Sequence, residues 1–579
     1  MLEKWNPGDI KKCSRSELNV LCDELRSVIY ETVTECGGHL ASNLGAVEPT
    51  VALFYVFDFP RDKIVFDVGH QCYAYKLLSG RADKFRTLRK EGGLSGFPKR
   101  KESIYDCYDT GHAGTSVSAA LGIAKARDLL GEDYDVIAFI GDGSFNNGLV
   151  YEALNSLRIL DTRILIILND NGMSISPTVG GMHDILDRIK AGKGDENVRL
   201  LEKFGLAYKG VYNGNDADEM IDALTEAREM LKTQSVLLHI VTKKGKGYEF
   251  SEEHPTNTHG IAPVGSVKDK EYSEVLGNTL CELAKEDGRI TAVTAAMTES
   301  LGLDKFFAVY PERAFDVGIC EENASVLCAA MASAGLKPYY AIYSTFLQRA
   351  FDEIIHDVCA QDMPVTFCID RAGISGADGE THQGVFDLSY LSFIPGLTIA
   401  VPKDTEEFAE MLRFSARFPH PLAIRYPRSG KILFHAEMTP VVPGKWEYMH
   451  RAENASVTVL AAGERCLVAA LKVLKNLAEK GMDFDVVNVR FVKPMDRELL
   501  SACASRHFVT IEDNVLIGGM GQAVDAALAE LKPSESYTVK NFAYRDEFIP
   551  QGSVGDLQRE YGVNLSLIHI SEPTRLDVI

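Results

Sequence analysis

Short apolar runs rich in β-branched residues alternate with helix-period segments along the chain, and no other feature limits the fold as tightly. Val136-Ile137-Ala138-Phe139-Ile140 and Ile164-Leu165-Ile166-Ile167-Leu168 are apolar at every position, as parallel strands buried on both faces require. Residues 149–160 between them carry helical spacing, so the three segments make a β-α-β unit. Similar runs recur at 236–241, 339–342, 365–369, 397–401, 457–460, 484–489 and 508–512. A strand apolar on both sides needs a helical layer on each, so the pattern predicts an α/β fold with mainly parallel sheets.

The 579 residues leave room for three or four domains at roughly 150 residues each. Two stretches break the alternation: 245–269, rich in Gly, Pro, Ser, Thr and charge, and 428–445, with Pro440, Pro443 and two glycines. They divide the chain into α/β domains at 1–268, 269–438 and 439–565. Residues 566–579 stand apart, because Leu567-Ile568-His569-Ile570-Ser571-Glu572-Pro573-Thr574-Arg575 resembles a translated sequencing adapter and reads as a non-native tail.

A net charge of −21 argues against a nucleic-acid or anionic-membrane binder, since phosphate surfaces would repel it. A small anionic substrate held by a few arginines is still compatible. The twelve cysteines form no C-x-x-C pair, and Cys72, Cys320, Cys328 and Cys368 lie in apolar segments, so they read as reduced, packed thiols. Met1-Leu2-Glu3-Lys4-Trp5 lacks the apolar core of a signal peptide, and 164–168 is far too short to span a bilayer. The expected compartment is the cytoplasm.

The strongest local signal is Gly141-Asp142-Gly143-Ser144 directly after the first of the two strands. The second strand runs into Asn169-Asp170-Asn171-Gly172-Met173, which puts Asp142 and Asn171 29 residues apart. Adjacent parallel strands deliver both to one C-terminal sheet edge, where open α/β sheets bind ligands. Mg²⁺ takes hard oxygens in an octahedron. Asp142 offers the charge, the Asn171 amide and Met173 carbonyl offer neutral oxygens, and a diphosphate would complete the shell. The glycines let backbone N–H groups approach phosphate. G-D-G alone more often marks a tight turn; with N-D-N after the next strand it becomes specific.

Together these segments resemble the thiamine diphosphate signature of the transketolase superfamily. Gly69-His70-Gln71 and Gly111-His112-Ala113-Gly114-Thr115 resemble its two histidine loops, and Lys246-Gly247-Tyr248 resembles the segment whose tyrosine lies by the thiamine. The resemblance implies cofactor contacts from His70, Gly111, His112, Ala113, Gly143, Ser144, Asn171, Tyr248, Glu321 and Phe346, with Mg²⁺ on Asp142, Asn171 and Met173. Phe315-Asp316-Val317-Gly318-Ile319-Cys320-Glu321 resembles the family segment ending in the glutamate that touches the pyrimidine nitrogen. A carboxyl there favours the imino tautomer that takes up the cofactor's proton. Without that context, Glu321 reads more readily as a helix-start charge.

Asp378-Gly379-Glu380-Thr381-His382-Gln383 occurs across the superfamily and gives class only. Asp370-Arg371-Ala372-Gly373, Tyr343-Ser344-Thr345-Phe346-Leu347-Gln348-Arg349-Ala350 and Arg425-Tyr426-Pro427-Arg428 are similar to the 1-deoxy-D-xylulose-5-phosphate synthase family in particular. That family condenses pyruvate with D-glyceraldehyde 3-phosphate, with loss of CO₂, to a precursor of isoprenoids, thiamine and pyridoxal. The resemblance implies substrate contacts from Tyr343, Arg349, Arg371 and Arg428, the arginines suiting a phosphate. It implies proton handling by His39, His259, Asp378 and His382 beside Glu321, and a homodimer. Each histidine alone would read as a hydrogen-bonded core or surface residue.

The likeness spans about residues 25–562, with departures. Glu322-Asn323 stands where the family usually has Gln-His, Asn213-Gly214-Asn215 replaces Asp-Gly-His, Pro49 replaces a leucine, and 181–201 is shorter than usual. Asn514-Val515-Leu516-Ile517-Gly518-Gly519-Met520-Gly521 resembles the C-terminal domain; its glycine turn could hold an anion or pack at a dimer interface. Two alternatives stay open: a transketolase acting on ketose phosphates, and a non-catalytic thiamine diphosphate-binding relative.

Overall fold

A computed structural model describes residues 7–174, 177–193, 195–263, 271–430 and 439–561. The expected joints at 268/269 and 438/439 and the tail 566–579 lie outside the described residues. The chain forms two compact units: residues 1–268 with 317–320, and 269–316 with 321–579.

The first unit is built on β1 (Lys63–Phe66), β2 (Val136–Gly141), β3 (Leu165–Asp170), β4 (Leu206–Asn213) and β5 (Ser235–Val241). All pair in parallel, in the order β1-β2-β3-β5-β4. Successive residues of β2 serve opposite faces. Ile137 and Phe139 join one core with the helices Arg15–Cys36 and Ala217–Leu231, whereas Val136, Ala138 and Ile140 join another with Ser116–Leu130 and Gly148–Leu160. That is the two-sided burial expected from the apolar runs. Ser14 and Glu17 close a capping box on Arg15–Cys36, and the Asn147 side chain caps Gly148–Leu160. Pro49 falls in the first turn of Val47–Val56, where a missing N–H leaves no helical bond unmade.

The second unit holds two sheets. One contains β6 (Ile290–Thr294), β7 (Ala314–Asp316), β8 (Lys337–Tyr343), β9 (Thr366–Asp370), β10 (Thr398–Ala400) and β11 (Leu422–Arg425). The other contains β12 (Glu447–His450), β13 (Val457–Ala462), β14 (Asp485–Asn488), β16 (His507–Val515) and β17 (Thr538–Tyr544). The strand β15 (Phe491–Lys493), which comes from the last third of the chain, leaves its neighbours and pairs antiparallel with β10 at the edge of the first of these sheets. Ile374 and Val385 in turn enter the core formed by Val459, Ile511 and Tyr544. Buried Arg490 reaches back to Glu407 at 2.7 Å. The two sheets therefore share packing, and the fold is α/β with mainly parallel sheets. Among the described residues no helix is long and apolar enough to cross a membrane. All twelve cysteines are free thiols; Cys72 and Cys328 are fully buried, and burial pushes the Cys72 thiol up to about 12.

Candidate functional site

In the first unit, Gly141 stands opposite Asn169 in the β2–β3 register, so the residues that follow emerge side by side. The Asn171 N–H donates to Asp142 Oδ1 at 3.2 Å, and the Thr178 hydroxyl donates to Asp142 Oδ2 at 2.6 Å. Burial, then the nearby Asp170 carboxylate, push Asp142 up to about 6. The Asn171 side-chain oxygen accepts the Met173 N–H at 3.1 Å, which draws the Met173 segment onto the same edge. Gly143 packs against Ser174. The buried Lys244 ammonium donates to the Ser174 carbonyl; burial lowers its pKa to about 8, and the Asp142 charge opposes that fall. Asn171, Met173 and Lys244 help line a cavity of about 390 Å³ with Asn213, Asn215 and Lys243. Asp170, the middle residue of N-D-N, faces elsewhere: burial raises its pKa, but His239 and Lys190 outweigh that and hold it low.

Among the described residues no three His, Cys, Asp or Glu side chains gather as a metal cluster. Asp142, Asn171 and the Met173 carbonyl are hard oxygen donors at one edge, and the Lys244 cation would favour an anion beside them. This donor set fits a Mg-diphosphate, in which phosphate oxygens complete the octahedron.

Three imidazoles converge beside this edge. His39, His70 and His259 have ring centroids 5.3 to 5.5 Å apart in every pairing. Loss of water, then the charges of Lys244, His70 and His39, hold His259 well below the usual histidine range, so it is neutral. The fully buried Asn43 amide donates to the carbonyls of His39 and of His70, both at 2.6 Å, and its oxygen accepts the Tyr73 N–H at 2.8 Å.

The loop with Gly111, His112 and Ala113 is fixed by Asp67, just after β1. One carboxylate oxygen accepts the Gly114 N–H at 2.8 Å, the other the Ser116 N–H at 3.0 Å, and the Ser144 hydroxyl also bonds to it. Gly114 has φ 84°, and a Cβ there would strike the Asn147 side chain. Tyr248 lies on the helix Arg15–Cys36, its ring stacked on Tyr30 at 3.9 Å.

In the second unit, Glu321 opens the helix Glu321–Ser333 and is 3% exposed. Burial raises its pKa; Arg349, 3.4 Å away, pulls it down, and Glu322 pushes it up. The departure Glu322 thus favours the protonated Glu321 carboxyl. A second cluster forms around Tyr343: Phe346 stacks on it at 5.6 Å, and the Arg371 guanidinium lies 3.7 Å above its ring. His382 meets the Phe346 edge at 5.6 Å and shares a 2.8 Å hydrogen bond with Thr381. Arg371 is oriented by Asp370 at 3.0 Å. Partial loss of water and the Arg371 charge lower the Arg428 pKa, against Tyr343, Asp378 and Asp370. Tyr343, Phe346, Arg371, Asp378, His382 and Arg428 thus form one neighbourhood, and Glu321 with Arg349 another.

Asn43 and Asp67 are positioning residues that the motifs do not announce. A polar residue inside the apolar run 40–47 and an acid between a strand and Gly69-His70 were the available signals. Asn215, in place of the family's histidine, donates to the Gly45 carbonyl at 3.1 Å and accepts the Lys243 N–H at 2.6 Å. Residues 181–202 contain the helices Gly181–Lys190 and Asp195–Glu202. The glycine turn at 518–521 is filled by one of the chain's own carboxyl groups: buried Glu512 accepts the Met520 and Gly521 N–H groups, each at 2.8 Å.

Comparison with known proteins covers nearly the whole chain. The family model described as 1-deoxy-D-xylulose-5-phosphate synthase matches residues 2–201, the transketolase pyrimidine binding domain 268–430, and the transketolase C-terminal domain 444–568. The 1-deoxy-D-xylulose-5-phosphate synthase of Clostridium botulinum is 44% identical over 610 aligned positions, 97% of each chain. That of Clostridium beijerinckii is also 44% identical, over 607 positions and the same coverage. Among solved structures, the transketolase of Campylobacter jejuni aligns over 95% of this chain and 98% of its own, with 19% identity and a TM-score of 0.46.

Proposed function

The chain belongs to the 1-deoxy-D-xylulose-5-phosphate synthase family, and on that footing we propose that it condenses pyruvate with D-glyceraldehyde 3-phosphate, releasing CO₂ and forming 1-deoxy-D-xylulose 5-phosphate. The observation that carries the site assignment is the β2–β3 register, which delivers Asp142 and Asn171 to one sheet edge. The three divisions at 1–268, 269–438 and 439–565 serve as diphosphate-binding, pyrimidine-binding and C-terminal domains.

Thiamine diphosphate, when bound, supplies the nucleophilic carbon and the electron sink for decarboxylation. Asp142, Asn171 and the Met173 carbonyl would hold the Mg²⁺ that accompanies the diphosphate. Gly143, Ser144, His70 and the 111–113 loop line the same edge, and Asp67 supports the fit by tying that loop to Ser144. Burial and Glu322 push the Glu321 carboxyl toward its neutral form against Arg349, and in that form it would donate to a ring nitrogen of the bound cofactor. Phe346 gives an apolar face for the pyrimidine.

His39, His70 and His259 form a polar cluster in which burial and the neighbouring cations keep His259 neutral, so it serves as a hydrogen-bond partner, with His39 beside it for proton handling. Such acid–base help is worth roughly 10²–10⁴-fold. Arg371 and Arg428 take the aldehyde's phosphate, Arg371 held flat by Tyr343 and Asp370. Asp378 and His382 hold carbonyl and hydroxyl oxygens. We assign the protein to the cytoplasm as a homodimer, on the family pattern.

The test is incubation with pyruvate, D-glyceraldehyde 3-phosphate, Mg²⁺ and thiamine diphosphate. CO₂ release together with a product of the mass of 1-deoxy-D-xylulose 5-phosphate is expected. Ketol transfer between sugar phosphates without CO₂, or cofactor binding without turnover, would refute the assignment.

A further inference from the structure

Residues 371–384 carry Arg371, Asp378 and His382, yet much of what fixes this loop comes from the last third of the chain. Its backbone bends through positive φ at Arg371 (57°), Gly373 (76°), Gly376 (103°) and Gly379 (71°), so beyond the single bridge between Gly373 and Gly384 it has no regular ladder to hold it. The carboxylate of Asp513, in β16, takes the place of one. A Cβ on Gly373 would collide with that carboxylate, which leaves glycine as the residue that fits.

Asp513 Oδ1 accepts the Ile374 N–H at 3.3 Å and the Tyr544 hydroxyl. Its other oxygen accepts from Arg465 at 3.1 Å, and the same Arg465 nitrogen donates to the Ile374 carbonyl at 2.9 Å. Both polar groups of the Ile374 backbone are thus held by one ion pair. Beyond it, Gln383 binds the Ser375 and Gly376 N–H groups at 2.7 and 3.1 Å and donates to the Pro550 carbonyl at 3.1 Å. Arg425 joins the Gly384 carbonyl (3.3 Å) to that of Asp513 (2.9 Å).

We propose that Asp513 and Arg465 are a positioning pair through which the C-terminal segment sets the 371–384 loop, so that affinity for the phosphorylated aldehyde depends on them and affinity for pyruvate does not. The inference rests on the phosphate role given to Arg371 above. The Asp513 side chain is 8% exposed and Arg465 20%, so removing either charge leaves the other poorly compensated and frees the loop. A misplacement of about 1 Å remote from the chemistry can cost up to roughly a hundredfold.

Asp513→Asn and Arg465→Gln in the full chain test this by steady-state kinetics and by trypsin cleavage after Arg371 without substrates. In both, KM for D-glyceraldehyde 3-phosphate should rise on the order of tenfold while KM for pyruvate stays within about twofold. Cleavage after Arg371 should be faster, and Arg465→Lys should restore part of the aldehyde affinity. If Asp513→Asn does not fold, the partly exposed Arg465 decides. An aldehyde KM unchanged in the folded variants, or a pyruvate KM that rises equally, overturns the proposal. Arg371→Ala separates the two levels: an aldehyde KM unmoved there but raised by Asp513→Asn refutes the phosphate role and leaves the positioning pair standing.

Discussion

Asn43→Ala removes the amide that ties two histidine loops together. Asn43 is 0% exposed and makes three hydrogen bonds to backbone, two at 2.6 Å and one at 2.8 Å. Three bonds at about 1 kcal/mol net come to ~3 kcal/mol, and a released buried group left unsatisfied adds up to ~2 kcal/mol more, so the loss is about 3–5 kcal/mol. The first unit holds roughly 270 residues; at ~2.1 cal/mol/K each, its unfolding entropy is ~0.6 kcal/mol/K, and the melting point should fall by about 5–9 °C. The released carbonyls belong to His39 and His70, so turnover should fall by up to roughly 10²-fold as the imidazoles lose register. Calorimetric scans paired with turnover measurements read both effects. A melting point within about 2 °C of the parent, with parent turnover, would refute the clamp.

Glu321→Ala should lower product formation by at least about 10²–10⁴-fold while calorimetry still detects thiamine diphosphate binding; full activity would remove Glu321 from the chemistry. Asp142→Asn should raise the Mg²⁺ needed for half-maximal activity at least roughly tenfold, read by titration after chelation. Arg428→Ala should raise KM for D-glyceraldehyde 3-phosphate by about 10–100-fold, the loss of a charged hydrogen bond of ~1.5–3 kcal/mol, with pyruvate KM unaltered. Burial lifts Glu512 from the ordinary 4.5 to about 7. Between these values the folded chain keeps a proton that the unfolded chain releases, so this group's contribution falls by ~3 kcal/mol as pH rises from about 4.5 to 7 and is flat above. Glu512→Gln should shrink the melting-point difference between pH 5 and pH 8; an unchanged difference would show that Glu512 does not titrate there.

Much of the first unit was legible because its signals are local. The runs at 136–140 and 164–168 became β2 and β3, and the helical spacing at 149–160 became Gly148–Leu160. Several short strands escaped: β1, β7 and β15 span three or four residues and lie in no longer apolar run. The edge strands β4 and β17 are mostly half-buried or exposed and carry no unbroken apolar run. From sequence the glycine turn at 518–521 could hold an anion, though packing at a dimer interface was the favoured role; only the fold brings Glu512 to fill it.

The sequence by itself determined the fold class and the chemistry on offer: two-sided apolar strands, a carboxylate and an amide at successive strand ends, glycine-histidine loops, an acid opening a helix. These are properties of a few adjacent residues, and periodicity and side-chain type record them directly. Tertiary structure alone decided which groups hold those residues in place. Asn43 reaches His70 27 residues on, Asp67 reaches Ser116 49 residues on, and Asp513 meets Ile374 across 139. Such contacts arise when packing brings distant segments into register, and no local pattern specifies which buried donor will meet which acceptor.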